Sequence, residues 1–283
     1  MNRILAVARY QGIIDSRTVK TYVLLSMVVF TGIAYGYLLP KFASDYFFVY
    51  VKGPSAWMET ISASFTTIAT GLTAVLVGGM MTSDVLAEEF ETGTISKLFS
   101  LPLHRMDIYL GKLLEKIILS AMFAIIFVSI SIISAYELSG TQSYIVWVPA
   151  FILALVLLYV SFASLGFVLG TMVKRSSFVF GTSLGIWILS VIVYGVIMFN
   201  TGLSLGTYLV PYMNSSMIPG SLLSYALNPS GITHFTFNVA QNSKEFTTTN
   251  ALFARSTILI SFLETLLILL AGLFMFNGKQ VRG

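Results

Sequence analysis

The chain has no cysteine, only two histidines, and only seven prolines in 283 residues. Without thiols there are no disulfides, no thiolate nucleophiles and no cysteine-based metal sites. No HExxH occurs, and no pair of acids is embedded in an apolar run. Zinc-dependent and aspartyl intramembrane hydrolysis therefore have no visible apparatus. Gly111-Lys112 looks briefly like the end of a phosphate loop, but Met106 stands where the first glycine would be and Leu113 where the hydroxyl would be. This chain binds no ATP by that device. Charge is scarce too: 10% of residues are charged against 56% hydrophobic, with mean hydropathy +0.86, too little polar material to cover a soluble surface. These absences predict a membrane protein that is not an enzyme, with no catalytic residue, no metal and no nucleic-acid partner.

About 20 apolar residues are needed to cross a hydrocarbon layer roughly 30 Å thick. On that measure the sequence predicts six spans, near Thr21 to Leu39, Met58 to Thr82, Leu113 to Tyr136, Trp147 to Val173, Phe178 to Phe199 and Ala254 to Phe276. The first apolar run has neither the short core nor the small-residue cleavage site of a signal peptide, so it is expected to be retained. A cytoplasmic N-terminus puts Arg3, Arg9, Arg17, Lys20, Lys97, Arg105, Lys112, Lys116, Lys174, Arg175, Lys279 and Arg282 inside, against Lys41, Lys52, Lys244 and Arg255 outside. The positive-inside rule then places both termini in the cytoplasm. Residues 1–20, with Ile4, Leu5, Ala8, Gly12 and Ile13 at near-helical spacing, predict an interfacial amphipathic leader helix touching membrane lipid.

Eleven ionisable side chains, counting His104, gather between Asp84 and Lys116. This cytoplasmic loop, residues 83–112, continues the second span through SDVLAEEFE, turns at Thr92, Gly93 and Thr94, and starts a short helix with Ile95, Leu98 and Phe99 on one face. Leu101 and Pro102 close it. So short a helix is unstable in water unless its apolar face is covered. Glu88, Glu89 and Glu91 oppose the dipole of the helix they end. They either meet a partner or simply solvate the loop and neutralise Arg105, Lys112 and Lys116.

The run EEFETGTISKLFSLPLHRMDIYLGKLL resembles the loop between spans two and three of type 2 ATP-binding-cassette (ABC) exporter permeases. The matching residues are Glu88, Glu89, Glu91, Gly93, Thr94, Leu98, Leu101, Pro102, Arg105, Gly111 and Lys112. The basic leader, six spans and long outer segment before the last span are similar as well. SYALNPSGITHF resembles the family's Asn-Pro region, where chain re-enters the outer leaflet. The resemblance implies a single permease domain, 1–283, in the plasma membrane. Such a permease pairs with a second one, identical or related, and with two copies of a separate ATPase that holds ATP and Mg. It also implies that Glu88, Glu89, Glu91, Gly93, Thr94, Ile95, Leu98, Phe99, Leu101 and Pro102 meet the ATPase through a coupling helix, and that transport is outward.

Within the spans, Glu264 falls near the bilayer centre, where an ionised acid costs roughly 2.5–3.5 kcal/mol. It is expected to face the bundle, either on a translocation path or in a packing hydrogen bond. Ser62, Thr66, Thr70 and Thr73 share a face of span two and either border that path or pack helices. Gly32/Gly36, Gly166/Gly170 and Gly181/Gly185 each form a GxxxG, suited to close helix contact within one bundle or between permeases. Residues 200–253 are expected to form an extracytoplasmic segment of short helices. A secondary transporter or channel using Glu264, or a docking scaffold without a pathway, are the alternatives that composition leaves open.

Overall fold

The computed structural model describes residues 3–42, 55–65, 68–95, 103–173, 175–201, 209–239 and 242–278. Five helices in it are long and apolar enough to cross a membrane: Val19–Lys41, Arg105–Ser139, Ile145–Met172, Ser176–Asn200 and Asn250–Gly278. The expected second span is described as two helices, Ala56–Phe65 and Ile68–Thr82, with Thr66 and Thr67 outside the described residues. Among the described residues, five helices therefore meet the length criterion.

Helix α1 (Arg3–Asp15) precedes α2 (Val19–Ile33), which continues through a π-helical turn, Ala34–Leu38, into Leu39–Phe42. The widened turn sits where Pro40 removes a donor and crowds the carbonyl of Gly36. Then come α3 (Ala56–Phe65), α4 (Ile68–Thr82), α5 (Ala87–Glu91) and the 35-residue α6 (Arg105–Ser139). Helix α6 is longer than the span expected there. It begins at His104, whose backbone N–H donates to Asp107 Oδ2 at 3.3 Å. A short 3₁₀ turn leads into α7 (Val148–Met172), followed by α8 (Ser176–Thr201), α9 (Met213–Leu227) and α10 (Asn250–Gly278).

The core joins α2, α3, α4, α6 and α7 through Val28, Ile61, Val75, Phe127, Phe151 and Phe162. Trp57 ties one end of it together: Nε1 donates to Ser131 Oγ at 3.0 Å, the backbone N–H to Gln142 Oε1 at 3.0 Å, and the ring meets Phe151 edge-on. Two of the three GxxxG pairs are used inside this bundle. A Cβ on Gly36 would meet Ser131 O at 2.3 Å, and one on Gly166 would meet Thr82 Oγ1 at 2.1 Å. Gly181 and Gly185, on α8, face open space.

Helix α9 is almost wholly buried and runs antiparallel to the N-terminal half of α10. Tyr212 at its start bonds Glu264, Ser221 pairs with Thr257 at 2.7 Å, and Asn250 Nδ2 donates to Ser224 O and Asn228 O. The outer segment thus reaches mid-height of the last helix, ahead of the Asn228-Pro229 turn. Residues 232–249 were expected to belong to a segment of short helices. Instead, Ile232–Val239 and Asn242–Thr249 form an antiparallel hairpin, β1 and β2, with Phe235 opposite Phe246. The alternating THFTF pattern and the Thr-rich return strand favour a pleated ribbon over a helix. The fold is that of an all-α membrane protein, as expected, with this hairpin added among the described residues.

Candidate functional site

The loop after α4 folds back against the end of the bundle where α1 and the start of α6 meet. Residues 83–86 turn, α5 follows, and Gly93 takes φ +73°, with open space where a Cβ would stand. That left-handed conformation is open to glycine at little cost and redirects the chain sharply. Thr92 Oγ1 donates to Glu88 O at 2.8 Å, closing the end of α5. Beyond the turn, Ile95 is buried, packed with Val85, Leu86, Ile108, Tyr109, Phe167 and Phe276. It was expected on an apolar face needing a partner's cover, but this chain already covers it. Leu98, Phe99, Leu101 and Pro102 lie outside the described residues.

The three acids separate. Glu88 and Glu91 are exposed, as are Gly93 and Thr94. Glu89 turns inward, its Oε1 2.5 Å from Lys112 Nζ, which also donates to Val85 O at 2.9 Å. Burial pushes the Glu89 carboxyl up and the Lys112 charge pulls it back down. The Gly111-Lys112 pair therefore works as a junction. On one side α1 comes so close that a Cβ on Gly111 would meet Val7 Cβ at 2.6 Å; on the other, the 2%-exposed Lys112 holds the loop.

Two further ion pairs extend this junction. Lys20, at the start of α2, lies 2.5 Å from Asp84 Oδ1. Lys116 bonds Asp15 at the end of α1 and lies 3.1 Å from Glu115 Oε2, which has no aligned hydrogen bond. Gln11 Nε2 donates to Asp15 Oδ1 at 3.0 Å. Four carboxylates and three ammoniums thus lock α1, the α1–α2 corner, the loop and α6 together. Sequence reasoning did not assign Asp15, Lys20, Asp84 or Glu115 to a site. The available signal was Lys112, Glu115 and Lys116 at the edge of an apolar helix, where unpaired charge is costly.

Helix α1 also differs from the expected simple amphipath. Ile4, Val7, Ala8 and Gln11 face α6, while Leu5, Tyr10, Ile13 and Ile14 are exposed. It has apolar residues on two sides, so Leu5 and Ile13 point away from the face that packs.

Glu264 lines a groove of 690 Å³ between α7, α8, α10 and residues 209–212. Its Oε1 accepts the Tyr212 backbone N–H at 3.0 Å. Tyr212 itself has φ 63° and ψ −9°, the left-handed region, and its ring stacks on Phe162 with centroids 5.3 Å apart. The carboxylate thus supplies an acceptor for the buried start of α9, whose first N–H groups have no partner within the helix. The groove does not include Thr73, which is half-buried on α4. Ser62 and Thr70 are placed only in the backbones of α3 and α4, and Thr66 lies outside the described residues. The structure therefore does not gather these hydroxyls with Glu264. Among the described residues no group of three or more His, Asp or Glu could hold a metal ion.

The family model described as ABC-2 family transporter protein matches residues 13–281. None of the curated proteins compared with the chain matches it.

Proposed function

The chain belongs to the ABC-2 family of transporter proteins, and from that membership we propose that it is the permease half of an ATP-driven exporter. It is a multi-pass membrane permease. In the proposed complex, two permeases, identical or related, sit in the plasma membrane with cytoplasmic termini. Two copies of a separate ATPase hold ATP and Mg. The loop after α4, with Glu88, Glu91 and the segment carrying Leu98, Phe99, Leu101 and Pro102, is the surface the ATPase grips.

One observation carries the reading. The loop is joined to α6 by the Lys112–Glu89 pair and to α2 by the Lys20–Asp84 pair, and α6 is joined in turn to α1 by the Lys116–Asp15 pair. A partner that moves the loop therefore moves a spanning helix. Exposed Glu88 and Glu91 offer charge for register and encounter. The open Gly181 and Gly185 on α8 suit close approach of a second permease.

Purification in mild detergent tests the assembly, with a stoichiometric ATPase partner expected and its reproducible absence fatal to the reading. Leu98→Asp is expected to uncouple ATP hydrolysis from transport without shifting the unfolding midpoint of the permease. Transport at the parent rate by that variant would show that the loop is not the grip.

A further inference from the structure

The groove beside Glu264 has a volume of 690 Å³, within the range of about 300–1,000 Å³ typical of small-molecule sites. One face of α10 forms its long wall, through Ile260, Leu263, Glu264, Leu267, Ile268 and Ala271. At 1.5 Å per residue that wall extends about 16 Å. It is hydrocarbon except for one carboxylate.

That carboxylate is only half used. Oε1 has the Tyr212 N–H, while Oε2 makes no hydrogen bond and no ion pair among the described residues. The contact that holds Oε1 requires Tyr212 at φ 63°, a conformation tyrosine adopts at a cost. An acid with a free oxygen in an apolar wall favours an occupant that brings a matching charge along with its hydrocarbon.

We propose that this groove binds hydrophobic monoamines, with the ammonium on Glu264 Oε2 and the alkyl chain lying along α10 toward Ala271. A resident phospholipid fits the position poorly. Glu264 is the middle residue of the 29 in α10, about 21 Å from either end of the helix. Headgroups lie about 15 Å from the bilayer centre, so an anchored lipid brings only chain ends to Glu264. A free amine with a small head reaches it. This deepens the permease reading by naming a ligand class, and binding to the permease alone tests it separately from ATPase coupling.

The test uses the full chain in phosphatidylcholine nanodiscs, titrated with a dansyl-labelled dodecyl chain that ends in a primary amine. Saturable binding is expected, displaced by dodecylamine and not by dodecanol. Glu264→Gln keeps the side chain's shape and an acceptor for Tyr212, and is expected to weaken binding about tenfold. Ala271→Trp fills the tail end of the groove, keeps the carboxylate, and is expected to weaken binding by about as much. Should Glu264→Gln shift the unfolding midpoint, Ala271→Trp decides. Parent-like binding by whichever variant folds overturns the proposal. So does equal competition by dodecanol, which marks a mere hydrocarbon slot, or displacement by added phosphatidylethanolamine, which marks a resident lipid.

Discussion

The ion-paired corner and the Glu264 groove handle charge in opposite ways. In the corner, Asp15, Asp84, Glu89 and Glu115 face Lys20, Lys112 and Lys116, and three pairs join separate elements. In the groove, one acid faces hydrocarbon and, among the described residues, holds a single backbone N–H. Desolvation is unfavourable in both places, but only the corner offsets it with opposite charge. Charges in the corner are therefore committed to holding helices together. The groove's carboxylate keeps an oxygen for something else.

The largest effect should come from breaking the corner. Lys112→Met leaves Glu89 half-buried without its cation, and truncating one partner of a buried pair typically costs about 3–5 kcal/mol. Chemical unfolding in detergent is expected to show a loss near that range, and Glu89→Gln added to Lys112→Met should recover much of it. If the single variant unfolds like the parent, the corner is not a clamp. A smaller loss, about 1–3 kcal/mol, is expected for Gly111→Ala, because the new Cβ overlaps Val7 Cβ and Ile4 O and pushes α1 outward. Increased proteolysis of the α1–α2 corner would report the displacement.

The smallest effect on stability belongs to Glu88→Gln with Glu91→Gln, since both acids are exposed. Its unfolding midpoint should match the parent's, while association with the ATPase slows and loses salt dependence. An unchanged salt dependence would remove these acids from the proposed grip and leave the apolar segment alone. Together the variants separate charges that hold the fold from those proposed to meet a partner.

Much of this was legible along the chain. Apolar runs of spanning length marked α2, α6, α7, α8 and α10, because hydrophobic length is a one-dimensional property. The charge concentration between Asp84 and Lys116 marked the stretch in which Asp84, Glu89, Lys112 and Lys116 form ion pairs. Sequence could not sort Glu88, Glu89 and Glu91, which look alike in series; the short α5 turns only the middle one toward Lys112. Nor could it show that Ile95 is covered by Phe276, from the far end of the chain. The hairpin was missed because residues 232–249 were read with the turn-rich outer segment rather than for their alternation.

What the sequence determined by itself is the solvent: a chain this apolar and this poor in charge must place its long runs in lipid, and its basic residues bias which side each loop occupies. It also determined that Glu264 would lie in the last helix, far from water. Only tertiary structure decided which ionisable groups meet. Lys116 and Asp15 are 101 residues apart, and Glu264 and Tyr212 are 52 apart. Pairing across such separations depends on how helices stack. The same carboxyl group becomes a clamp where a lysine packs against it and an open acceptor where only hydrocarbon does.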